Sequence, residues 1–282
     1  MASKQLSEDV PELALDLGTY DRENVTNVGT ARDLFDKGLG LLFSYQHEEA
    51  AKTFLQCVEV SPYCALAHAL IALSHSPNYN FNGVDFYEAS KQMSQSNNQG
   101  EGLGHEYPSQ FLASYHSQEA VKIVESLGFN GRRRKQRRPR SPPPSKDFCQ
   151  KKLRPISNVE EMIIKAVRTL NRNLKVESSI AGQKNGRPFA DEMRTTYQQY
   201  PNDPEVAYFY AESLMILNSW NLYDYPTHRP LSNDVPEVNK VLEDALDKHP
   251  NHVGLCHMYV HLCEMSPNPE KALMACEVLR KR

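Results

Sequence analysis

Residues 31–62 read ARDLFDKGLGLLFSYQHEEAAKTFLQCVEVSP. Two apolar stretches at helical spacing are separated by a short break at 44–46. The spacing predicts one helix from about Thr30, a reasonable N-cap, to Phe43, and a second from about His47 to Val60. Gly38 and Ala50 are small, so the two helices can cross closely, while Leu34, Leu41 and Phe54 fill the space on either side. Pro62 cannot continue a helix and pushes the residue before it out of the helical region. A hairpin of this size cannot bury its apolar faces alone and needs stacked neighbours.

Counted from Ala31 as position 1, Leu34, Gly38, Leu41, Ala50, Phe54, Cys57 and Pro62 stand at 4, 8, 11, 20, 24, 27 and 32. This pattern resembles the tetratricopeptide repeat. Parts of it return downstream. Phe189, Met193, Thr196 and Pro201 match the second helix of a repeat; Tyr210, Ala211 and Leu214 match a first helix. Leu242, Ala245 and Pro250, then Tyr259, Val260 and Cys263, then Ala272 and Cys276, continue it. The resemblance implies an all-α chain, a tetratricopeptide-like right-handed α-solenoid of antiparallel helix pairs. The C-terminal half is also similar to a less-studied group of such proteins, in which split repeats carry a PW-containing loop and an H-x3-H-x2-E helix. Ser219 here replaces the Pro before Trp220. Members of that group run on through further helices, whereas this sequence ends at Arg282 just after a second helix, so a partial chain is expected.

Four regions follow: a flexible leader at 1–29 with a short helical turn near 13–17, a helical region at 30–127, a disordered insert at 128–156, and a second helical region at 157–282. Further helices are expected at 65–75, 84–94, 108–127 and 204–217, and again at 235–249, 253–265 and 269–279. Residues 181–187, with two glycines, are expected to be a loop. Ser157 with Glu160 has the form of a capping box ahead of the apolar stripe Met162, Ile163, Ala166, Val167 and Leu170.

Net charge is −3, unevenly spread. Residues 131–154 hold eleven Lys and Arg against one acid; the remainder holds 21 basic against 34 acidic side chains, a balance of −13. The insert has five prolines and almost no large apolar residues, so burial cannot offset its ordering entropy. Six scattered cysteines form no CxxC pair and read as reduced thiols of an intracellular protein. The N-terminus has no apolar signal segment, Ala2 excludes N-myristoylation, and the longest apolar run is about half a membrane span. A cytoplasmic protein with no membrane contact is expected, or a nuclear one if the insert acts as an import signal.

Three constellations could carry function. The first is the helix face His257, His261 and Glu264, whose spacing could hold a divalent metal with an open position, or form local hydrogen bonds. Met258 stands where HExxH would have its general base, so a metal-dependent, hydrolase-like activity is the alternative reading rather than the leading one. The second is Arg132, Arg133, Arg134, Lys135, Arg137, Arg138 and Arg140. That run resembles arginine-rich nuclear-import and RNA-binding segments, including the basic segment of lentiviral transactivators. It reads as a solvated linker, an import signal, or a phosphate-contacting segment without base readout. The third is a pair of long loops, in which Tyr79 and Asn80, then Trp220, Asn221, Tyr223 and Asp224, could line a partner-binding groove or plug gaps between repeats.

No P-loop, GxGxxG or GxSxG motif is present. The peptide-carboxylate clamp of some tetratricopeptide proteins would need Asn where Leu39 stands, so that partner is disfavoured. The reading is therefore a non-enzymatic interaction scaffold without a cofactor. A protein or peptide partner would lie in the concave face made by first helices, and nucleic acid would engage only through 132–140.

Overall fold

The computed structural model describes residues 25–80, 109–128, 155–172 and 180–281. Among them are ten α-helices, one short 3-10 segment at Pro269–Ala272, and no strand. The helices are α1 Gly29–Phe43, α2 His47–Val60, α3 Ala65–Ser74, α4 Ser109–Gly128 and α5 Asn158–Leu170. They continue with α6 Ile180–Gln199, α7 Pro204–Ile216, α8 Asp234–Leu246, α9 Val253–Cys263 and α10 Leu273–Leu279. The expected helical turn at 13–17, the helix at 84–94 and residues 129–154 of the insert lie outside the described residues.

Local chemistry sets several boundaries. Ser157 and Glu160 form the expected capping box: the Ser157 amide donates to Glu160 Oε2 at 2.8 Å and the Glu160 amide donates to Ser157 Oγ at 3.4 Å. Asp203 caps α7, accepting from the amides of Glu205 and Val206 at 3.1 Å, with Pro204 at the first helical position. At the start of α1, Thr30 is already inside the helix and Val28 is the N-cap, without a side-chain cap.

The stretch at 181–187 is not a loop but part of α6, which also contains Pro188. A Cβ at Gly186 would lie 2.9 Å from Cδ2 of the Leu217 side chain at the end of α7, a close approach that a small shift of that side chain would relieve. Gly38 stands at a tighter approach between α1 and α2, where a Cβ would meet the Phe54 ring at 2.5 Å.

Consecutive helices pack on one another throughout the described residues. Nine of ten residues of α3 and eleven of thirteen of α7 are buried, against five of thirteen in α8. The molecule also closes on itself. The end of α1 lies against α9, and the Phe43 ring sits 4.7 Å from Tyr208 and 4.8 Å from His252. Gly254 makes that approach possible, because a Cβ there would lie 2.9 Å from both the Phe43 and Tyr208 rings. The end of the first hairpin, at Phe43 and Tyr45, thus packs against both α7 and α9.

Candidate functional site

The closure gathers histidines, aromatics and carboxyls from five parts of the chain. Tyr45, in the turn between α1 and α2, takes a left-handed backbone (φ 61°) that a bulky residue rarely adopts. That turn aims its hydroxyl inward, donating to Glu212 Oε1 of α7 at 2.8 Å and lying 3.6 Å from Met258 Sδ of α9. Burial pushes the Glu212 carboxyl up to about 7, although hydrogen bonds from Tyr45 and Tyr208 pull the other way. Burial, and next the Glu212 charge, raise the Tyr45 phenol well above its ordinary value, so it acts as a donor and stays protonated.

From Tyr45 a row of rings leads to the surface. His257 lies 4.6 Å from Tyr45 and stacks on His261 at 4.9 Å. His261 lies 5.0 Å from Tyr79, and Tyr79 stacks on Trp220 at 5.4 Å with 30° between the planes. Trp220 meets His261 edge-on at 5.8 Å. On the inner side His47 lies 4.9 Å from Tyr45, and burial lowers its pKa to about 4. Both ring nitrogens of His47, Nε2 of His261 and the Tyr79 hydroxyl are buried without a hydrogen bond of ordinary geometry from the protein. The Trp220 backbone approaches that hydroxyl and partly counters the burial that pushes Tyr79 up to about 12.

Of the residues expected from sequence, Tyr79, Trp220, His257, His261 and Glu264 therefore come together. Tyr79 is fully buried, Trp220 is 52% exposed, and the Glu264 side chain is 39% exposed. Asn80 and Asn221 are exposed beside them in sequence. Asp224 belongs to the loop's own structure, accepting from Thr227 Oγ1 at 2.5 Å. Tyr223 faces a different cleft of about 270 Å³, shared with Val235, Cys263, Pro267 and Lys271.

The His257, His261 and Glu264 side chains do not converge as metal ligands, and no group of three among the described residues does. His257 Nδ1 is engaged with the Phe43 carbonyl at 3.2 Å and His261 Nδ1 with Glu264 Oε1 at 2.9 Å. The two imidazoles stack with 28° between their planes, so their in-plane lone pairs do not meet at one point. The basic run at 132–140 lies outside the described residues.

Tyr45, His47, Tyr208 and Glu212 belong to the cluster and are not singled out by motif. One signal was present. Glu212 interrupts the run PEVAYFYAESLMIL at a position flanked on both sides by buried residues, where a carboxyl needs a partner.

No helix among the described residues is long and apolar enough to cross a membrane. Searches against protein-family models, curated proteins and solved structures find no match for this chain.

Proposed function

We propose that the chain is a non-enzymatic scaffold of the tetratricopeptide type, a right-handed α-solenoid of helix pairs, acting in the cytoplasm or nucleus. It captures a peptide or helix of a partner protein at the rim around Trp220. The repeat spacing at 31–62 and 201–279 supports the architecture.

The observation that carries the binding reading is the state of Trp220. A large aromatic ring is half exposed, yet its backbone is held at φ 60° and its ring rests on the buried Tyr79. Such a side chain loses little freedom on binding and offers a large apolar area. The rim is favoured over the deep concave face because Phe43 and Tyr45 of the first hairpin already occupy the faces of α7 and α9 they meet. Glu212, the carboxyl with the most perturbed environment, is sealed behind Tyr45 and 5% exposed, which favours a structural role over catalysis.

The test is selection of peptides from a random display library on the purified chain, followed by calorimetric titration of the selected peptides. Trp220→Ala is expected to weaken binding by about 30-fold, the effect of losing a central aromatic anchor, with unchanged far-ultraviolet circular dichroism. Peptides that bind the variant as tightly as the parent would overturn the reading.

A further inference from the structure

We infer that the partner segment received at Trp220 carries an arginine, whose guanidinium stacks on the open indole face and pairs with Glu264. This rests on the scaffold reading above and adds the chemistry of what the rim accepts.

Several acidic side chains of the C-terminal half are paired with basic ones. Asp234 pairs with Arg187 at 2.6 Å, Glu237 with Arg194 at 3.0 Å, Glu243 with Lys271 at 3.1 Å and Glu277 with Arg280 at 2.7 Å. Glu264 pairs with no lysine or arginine among the described residues, and its one partner there is His261 at 2.9 Å. The same His261 meets Trp220 edge-on, so the exposed indole and the carboxylate flank a single ring. Tyr79 covers one face of Trp220, and the half of the side chain left exposed is available to a ligand.

An exposed indole beside a carboxylate that lacks a basic partner is complementary to a cation. A guanidinium suits this pair better than an ammonium. It is planar and weakly hydrated, so it stacks on an aromatic face while its edge donates to a carboxylate. With 35 acidic against 32 basic side chains, the whole chain adds only a weak long-range attraction for a basic partner, so the local pair Trp220 and Glu264 carries the inference.

Trp220 is the only tryptophan of the chain, so its emission reports on this site alone. The probes are the acetylated and amidated peptide Gly-Arg-Gly-Arg-Gly and its counterparts with citrulline or lysine at both arginine positions. Citrulline keeps the planar shape and removes the charge. The expected result is a saturable change in Trp220 emission with the arginine peptide. Affinity should be about tenfold or more weaker with citrulline, weaker also with lysine, and reduced about tenfold by Glu264→Gln. Equal affinity for the citrulline peptide, an unchanged Glu264→Gln, or no saturable response to the arginine peptide would overturn the inference. If library peptides depend on Trp220 but lack arginine, the scaffold reading stands and the guanidinium inference falls. If no peptide depends on Trp220, the scaffold reading falls first.

Discussion

Single residues hold the interior open or closed by fractions of an ångström. Gly38 is the clearest case. Alanine there would gain about 1 kcal/mol of helix propensity. Its Cβ would nevertheless lie 2.5 to 2.8 Å from three Phe54 ring atoms, and Phe54 is itself fully buried. The clash outweighs the propensity, and Gly38→Ala is expected to lower stability by about 1–3 kcal/mol in urea titration. A stabilised variant would mean that α1 and α2 do not cross at this point.

The buried histidines make stability depend on pH. Burial holds His47, His116 and His252 down at about 4, against the ordinary 6.5. Unfolding therefore takes up protons between these values. The stability these groups provide is complete above about 6.5 and is lost as pH falls through about 4. Glu212 acts in the opposite sense, because its folded carboxyl is raised to about 7 from 4.5. Its contribution is complete below about 4.5 and is lost as pH rises through about 7. The melting temperature should fall between pH 6.5 and 4, and Glu212→Gln should make that fall steeper by removing the opposing contribution. A variant with the parent's pH slope would count against the buried, protonated state of Glu212.

At the scale of the element, legibility tracked how local the chemistry is. The capping box at the start of α5 could be read directly, because Ser157 and Glu160 are three residues apart and satisfy each other. Ser157→Ala should cost about 1 kcal/mol, measured by chemical denaturation, with amide exchange rising first in the opening turn of α5. A loss far below this, with no local change in exchange, would mean that the cap contributes nothing. The start of α6, at 181–187, reads as a loop for the converse reason. Gly182, Gly186 and Pro188 all disfavour a helix interior locally, while the close approach of Leu217 to Gly186 is invisible without the fold. The rim was half legible. Trp220, His257, His261 and Glu264 stood out by residue type and helical spacing, whereas Tyr45 and Glu212 meet across 167 residues and carry no shared motif.

At the scale of the whole molecule, the last hairpin packs back on the first, and that closure builds the site. Phe43 and Tyr45 enter the C-terminal half, where Tyr208, Glu212, His252 and His257 receive them. The row of rings then transmits the position of α9 to Trp220 at the surface. Gly254→Ala should strain this junction at both Phe43 and Tyr208 and cost about 1–3 kcal/mol, more than its gain in helix propensity. A neutral result in thermal denaturation would argue that α9 is not held against α1.

The most direct measurement is the emission of Trp220 in a Tyr45→Ala protein, under conditions where circular dichroism shows the helices intact. Tyr45 and Trp220 are far apart in the chain and both lie against His261, at 6.2 and 5.8 Å between ring centroids. The expected result is a red-shifted emission together with a lower melting temperature. An emission spectrum and melting temperature identical to the parent's would contradict the closure.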